Sequence, residues 1–209
     1  MKIQVWADFL CPFCLIGSKQ MEAALVAEGA EAEVEYMSYS LSDAIYPAEG
    51  EPYWERLAAE KGWSEDEVIA ARSDVDALAT EAGLSIDWRA LVRGNTKDAH
   101  RLFQYAKAKG KGTEFFRRTQ EAVFLKGALI SDRPTLVALA KEVGLNPAEA
   151  ESVLAKGEYE GFYIRDLVRA EEIGIRGVPF FLFDEKYTIA GAAPMADFQA
   201  AIRRAQTKE

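Results

Sequence analysis

The stretch that decides the fold is Asp8-Phe9-Leu10-Cys11-Pro12-Phe13-Cys14-Leu15-Ile16-Gly17. Its two cysteines are the only ones in a chain of 209 residues. Upstream, Lys2 to Phe9 alternates and is rich in β-formers (Ile3, Val5, Trp6, Phe9), which predicts a strand. Downstream, apolar residues recur at helical spacing from Phe13 to about Glu28, and Gly29 stops the pattern. Alternation returns from Glu33 to Tyr39. The cysteines therefore sit at the first strand-to-helix junction of a β-α-β unit.

Two sulfurs at this spacing have few structural uses. A disulfide closing so small a ring removes little unfolded-chain entropy, because that contribution grows with loop length. A closed metal site needs about four ligands, and the chain offers two thiols and one distant histidine, His100. No metal is expected. A C-x-x-C beside a β-α-β pattern reads instead as a thioredoxin-like redox pair. A helix N-terminus has unpaired N–H groups and partial positive charge, which stabilise a thiolate. Cys11 is placed there and is expected to be the exposed nucleophile. Cys14, one turn further in, is placed to resolve the mixed disulfide. Pro12 suits the first helical turn because it has no N–H to leave unsatisfied.

Composition narrows the partners. At 49% hydrophobic the chain can bury a substantial core, and its net charge of −9 argues against nucleic acid or an anionic membrane surface. No apolar run approaches the roughly 18 residues that span a bilayer. The first eight residues lack the apolar core of a secretory signal. A cytoplasmic protein is expected.

The middle of the chain changes character. Leu41 to Glu55 reads as loop. From about Ser64 to Leu154 the pattern is helical: Ser64 to Ala82, opened by a capping-box sequence, then Thr96 to Lys109, Thr113 to Phe124, Arg133 to Val143, and a shorter helix capped by Asn146 with Pro147 in its first turn. The last third resumes α/β, with a helix from Glu158 to about Ile173, strands Phe180–Phe183 and Thr188–Ala190 around Asp184-Glu185-Lys186, and a closing helix from Pro194 to about Gln206. The expected organisation is a discontinuous α/β domain of residues 1–40 and 158–209, one sheet with helices on both faces, interrupted by a loop and helical domain of residues 41–157.

The second chemical signal is Gly177-Val178-Pro179-Phe180-Phe181. Proline before an apolar strand reads either as a trans residue at a strand start or as a cis proline fixing a tight backbone course. Its place between a helix and the terminal hairpin favours cis.

"ADFLCPFCLIG", "NTKDAHRLFQYAK" and "IRGVPFFLFDEKYTIAGA" together resemble the DsbA-like thioredoxin-fold family, in particular its FrnE branch. The resemblance covers nearly the whole chain, including the helical insertion. It implies that Cys11 is the nucleophile, Cys14 the resolving thiol and Pro179 a cis-proline beside them, with the Val178 backbone available to a bound peptide. The intervening Pro12-Phe13 departs from the family's periplasmic oxidant, which carries histidine at the second position, so strong oxidising power is not carried over. Asp8 reads first as a helix-entry hydrogen-bond acceptor or solvated acid, and second as a water-mediated proton acceptor for Cys14. His100 reads first as a structural helical residue, and second as facing the active-site cleft.

The expected function is thiol–disulfide exchange on polypeptide or small-molecule disulfides. The Cys11–Cys14 pair is its own redox group, and glutathione is a possible reductant or substrate. Two alternatives stand beside it. One is a glutathione-dependent isomerase or transferase, resembling the hydroxychromene-carboxylate isomerases and kappa-class glutathione transferases, which typically carry serine where Cys11 stands. The other is a non-catalytic peptide-binding module.

Overall fold

A computed structural model describes residues 1–41 and 50–207. In chain order its elements are β1 (Lys2–Ala7), α1 (Pro12–Ala27), β2 (Glu33–Ser38), β3 (Glu51–Pro52), α2 (Tyr53–Lys61), α3 (Glu65–Glu81), β4 (Val92–Arg93) and α4 (Lys97–Ala108). There follow α5 (Gly112–Lys126), α6 (Arg133–Glu142), α7 (Pro147–Lys156), α8 (Glu160–Glu172), β5 (Phe180–Phe183), β6 (Tyr187–Ala190) and α9 (Met195–Gln206). The chain divides into two compact units, Met1–Leu41 with Gly161–Glu209, and Ser42–Glu160.

The first unit is built on a sheet of order β2-β1-β5-β6. β1 pairs with β2 in parallel, from Lys2 opposite Glu33 to Ala7 opposite Ser38, and antiparallel with β5, from Ile3 opposite Phe183 to Trp6 opposite Phe180. The parallel pair requires a crossover, and α1 supplies it. Side chains alternate across a strand. Ile3, Val5, Phe181 and Phe183 are fully buried, and the Phe181 ring meets Phe198 of α9 edge-on at 4.9 Å. Trp6 forms a second buried cluster with Met37, Ala170 and Ile175, against which Val178, Phe180 and Leu182 pack. Both faces of the sheet are thus covered, as expected for an α/β fold of thioredoxin type. The β5–β6 hairpin turns through Asp184 and Glu185, both at positive φ. Asp184 is also tied to the start of β1: its carboxylate accepts the Lys2 N–H at 2.6 Å and its own N–H donates to the Lys2 carbonyl at 2.9 Å.

The second unit is helical, with the two-residue strands β3 and β4 paired antiparallel. Its core holds Phe103, Phe115, Phe116 and Phe124, all fully buried. Ser64 and Glu67 form the reciprocal capping box that opens α3, and Asn146 accepts the Ala148 and Glu149 N–H groups at the start of α7. Arg101 is buried in this unit, its Nε donating to the Glu158 carbonyl at 3.0 Å and Nη2 to the Val153 carbonyl at 2.6 Å. The Val153 carbonyl also accepts the N–H of Gly157, the C-cap of α7, and Glu158 lies just past that helix.

One expectation is corrected. The stretch read as loop from Leu41 to Glu55 contains β3 and the start of α2, while residues 42–49 lie outside the described residues. Pro52 stands immediately before the helix, where a missing N–H costs nothing. Tertiary packing supports α2: the Trp54 ring lies 4.8 Å from that of Trp88, and Tyr53 lies 5.5 Å from the same residue.

Candidate active site

The turn between β1 and α1 is organised by Asp8. Its carboxylate accepts the Leu10 N–H at 2.8 Å and the Leu41 N–H at 2.7 Å, while its carbonyl accepts the Cys11 N–H at 3.3 Å. Asp8 is buried, so the solvated-acid reading does not hold, and the helix-entry reading describes its hydrogen bonds. Cys11 follows as the N-cap of α1 in extended conformation, with Pro12 in the first turn. The Cys11 carbonyl accepts the Cys14 N–H at 3.1 Å. No acidic side chain lies in the first turn of α1 itself, and the buried carboxylate of Asp8 lies in the turn that leads into it.

Both cysteines are free thiols. Cys14 is fully buried, and burial pushes its thiol well above the ordinary value. A hydrogen bond and charge from the Cys11 sulfur, and the Asp8 charge, push the same way, while a backbone hydrogen bond at Asp8 opposes them. The order of causes follows from physics: a buried thiolate lacks water, and adjacent negative charge adds to that cost.

Cys11 is 3% exposed, which corrects the expectation of an exposed thiol. The cover comes from the other end of the chain. The Cys11 S–H donates to the Val178 carbonyl at 3.5 Å, across 167 residues of sequence. The Val178–Pro179 bond is cis, and the Pro179 carbonyl accepts the Gly191 N–H at 2.8 Å. Pro12 is buried, and Phe13, at 38% exposure, is the open side chain of the motif.

Asp8, Cys11, Pro12, Phe13, Cys14, Val178 and Pro179 therefore belong to one unit. His100 belongs to the helical unit, where it is fully buried on α4, a helix whose start is braced by Asn95 accepting the Lys97 N–H at 2.8 Å. Among the described residues, no group of three or more histidine, cysteine, aspartate or glutamate side chains is placed to hold a metal ion.

Two residues of the same unit were not singled out from the sequence. Asp166 is a buried carboxylate on α8 that accepts the Ser38 N–H at 2.9 Å, and its carbonyl accepts the Trp6 indole N–H at 3.3 Å. Its signal was positional: Tyr163, Asp166 and Ala170 share the buried stripe of α8. Gly17, on α1, faces Pro179 and Phe181 so closely that a Cβ there would lie 3.3 Å from Pro179 Cγ and 3.2 Å from Phe181 Cζ. Only its place on the apolar helix face hinted at this.

A cysteine pair at a strand-to-helix turn, faced by a cis-proline loop on a central sheet, is the arrangement of a thioredoxin-type fold. Residues 2–203 match the DsbA-like thioredoxin domain, and the chain belongs to that family. An uncharacterized protein, YwbO, of Bacillus subtilis is 30% identical over 209 residues, 99% of this chain and 98% of that one. The fold is similar to that of a "probable DsbA oxidoreductase" from Streptomyces coelicolor, with TM-score 0.91 and 30% identity over 100% of this chain and 91% of that one. It is also similar to the cytosolic disulfide reductase DsbM from Pseudomonas aeruginosa with GSH, with TM-score 0.68 and 17% identity over 100% of both chains. The last likeness is one of fold. Among the described residues, no helix is long and apolar enough to cross a membrane.

Proposed function

We propose that the chain is a cytoplasmic thiol–disulfide oxidoreductase in which Cys11 attacks and Cys14 resolves. The observation that carries this reading is the asymmetry of the two sulfurs. Cys11 stands at the N-terminus of α1 with its Sγ 3.5 Å from the Val178 carbonyl, while Cys14 is fully buried with its thiol pushed up. The Cys11 thiolate attacks one sulfur of a substrate disulfide. The S–S bond breaks, a mixed disulfide forms on Cys11, and the first product leaves as a thiolate. Cys14 then attacks the Cys11 sulfur, the second product leaves as a thiol carrying the proton from Cys14, and the enzyme holds a Cys11–Cys14 disulfide. One substrate disulfide is reduced to two thiols while the dithiol is oxidised. Two equivalents of a monothiol such as glutathione restore the dithiol, and the same steps run backwards oxidise a substrate dithiol. No bound cofactor is needed, because the sulfur pair carries the electrons.

The substrates are polypeptide or small-molecule disulfides. The exposed Phe13 ring beside the sulfurs suits an apolar flank on the substrate. Cysteine at position 11 and a partner at position 14 favour exchange over the glutathione-dependent isomerase reading, which needs no second thiol. They also favour it over a passive peptide-binding module, which needs neither.

The test is trapping with an oxidised peptide and with oxidised glutathione, read by intact-mass spectrometry. Cys14→Ser should accumulate mixed disulfides through Cys11, and Cys11→Ser should accumulate almost none. Equal trapping by the two variants, or an adduct in the intact protein that never proceeds to an internal disulfide, overturns the assignment.

A further inference from the structure

We propose that Gly17 is a positioning residue for the Cys11 sulfur: its missing side chain sets how closely the Val178–Pro179 loop approaches α1, and so sets the Sγ to Val178 carbonyl contact. The inference deepens the redox reading above and rests on it for its functional meaning. Gly17 lies three residues past Cys14 on the same helix. Glycine in a helix interior is unfavourable relative to alanine, so helix propensity does not explain it. The close approach does. A Cβ at position 17 would lie 3.2 Å from Phe181 Cζ, 3.3 Å from Pro179 Cγ and 3.4 Å from Phe181 Cε2. Ordinary carbon contacts are about 3.5–4.0 Å, so a methyl group there displaces one neighbour by a few tenths of an ångström.

The neighbour that yields can be identified from how each is held. Phe181 lies inside β5, paired with Val5 on one side and Ile189 on the other, and its buried ring is fixed against Phe198 at 4.9 Å. Pro179 precedes the strand, and its carbonyl is held by the Gly191 N–H. On its other side the chain runs through Val178, half-buried at the margin of the Trp6 cluster and outside any strand, to exposed Gly177, at which a Cβ would meet nothing within 4 Å. The loop therefore moves away from α1 and the strand stays. The Val178 carbonyl recedes from Cys11 Sγ. A carbonyl oxygen accepts from the thiol and opposes the thiolate, so its retreat favours the thiolate and with it the dithiol form of the enzyme.

The experiment compares Gly17→Ala with the unsubstituted protein. Ile202→Ala, which hollows the same unit's core at a fully buried position on α9, serves as the stability control. The first readout is the iodoacetamide alkylation rate of Cys11 in the reduced protein at pH 6, resolved from Cys14 by peptide mass spectrometry. The second is the dithiol–disulfide equilibrium against glutathione. Gly17→Ala should raise the alkylation rate at least threefold and shift the equilibrium at least threefold towards the dithiol, with Ile202→Ala leaving both within a factor of 1.5. An unchanged or lower rate in Gly17→Ala, or an equal rise in Ile202→Ala, overturns the proposal. If Gly17→Ala does not fold, the same criterion is applied to Gly17→Ala/Phe181→Leu against Phe181→Leu, where the Pro179 contact remains. A protein that never equilibrates with glutathione removes the redox reading, and the alkylation rates then decide the role of Gly17 alone.

Discussion

Asp8→Asn should destabilise the protein and speed its resolving step at the same time. The Asp8 carboxylate is buried and accepts two backbone N–H groups, from Leu10 at 2.8 Å and from Leu41 at 2.7 Å. Asparagine keeps the shape but offers one acceptor oxygen and one donor NH2 group. One N–H therefore loses its acceptor and faces a donor. A hydrogen bond to a charged group contributes about 1.5–3 kcal/mol, so the loss is about 2 kcal/mol. For a chain of this length each kcal/mol lowers Tm by roughly 2–4 °C, giving a fall of roughly 4–8 °C. The second effect has the opposite sign for chemistry. The Asp8 charge is among the causes that hold the Cys14 thiol up, behind burial and Cys11. Removing it brings Cys14 down, though not to the ordinary value, because burial remains. The mixed disulfide should then resolve faster at pH 7. Calorimetry reads the first effect, and quenched-flow mass spectrometry of a pre-formed Cys11–glutathione adduct reads the second. An unchanged Tm would show that the two hydrogen bonds are dispensable. Slower resolution in a folded variant would show that Asp8 assists Cys14 by taking its proton rather than opposing it by charge.

Further expectations concern pH and the helical unit. Because the folded Cys14 thiol is held above the ordinary value of 9.0, the unfolded chain releases that proton first as pH rises. The stabilising difference is fully present below about pH 9 and should decline above it by about 1.4 kcal/mol per pH unit until the folded thiol also ionises. Urea titrations of the reduced protein at pH 8 and pH 10 should show this extra loss, and Cys14→Ala should lack it. An equal alkaline loss in both proteins would remove Cys14 as its source. In the helical unit, Arg101→Met should cost about 3 kcal/mol in denaturant unfolding, since it removes the hydrogen bonds of a buried guanidinium to the Glu158 and Val153 carbonyls. A loss below about 1 kcal/mol would mean that water satisfies them.

The sequence was most informative where local chemistry and local structure agree. The cysteine pair, the proline at the first turn of α1 and the hairpin around Asp184 each announce a backbone course that few other residues would tolerate. The capping box at Ser64 and Glu67 did the same for α3. What could not be read came from contacts between distant segments. α2 follows a proline and a stretch of loop-like composition, and the Trp54–Trp88 packing that favours it joins residues far apart in sequence. Asp166 looked like any polar residue of an amphipathic helix until Ser38 was found donating to it across 128 residues. The cover over Cys11 has the same character. A helix N-terminus predicts a reactive sulfur, but Cys11 is 3% exposed, and only the folded sheet brings the Val178 carbonyl to its sulfur.

That cover is consistent with reactivity because of its weakness. A thiol is a poor hydrogen-bond donor, and the Cys11 contact to Val178 is long at 3.5 Å. The bonds framing it are of a different kind. Asp8 gives the preceding turn two charge-assisted contacts below 3 Å. Contacts of the first kind yield for a fraction of the free energy that those of the second kind require. On the proposed mechanism, a substrate disulfide reaching Cys11 meets one long thiol contact beside a firmly held turn. The sulfur can be uncovered without disturbing the turn that places it at the helix end or the buried position that keeps Cys14 protonated. The proposed division of labour between the two cysteines accords with this difference in how each is covered. Cys11 makes a long contact to a loop carbonyl, whereas Cys14 is fully buried, and the proposed mechanism accordingly gives the substrate contact to Cys11 and the internal step to Cys14.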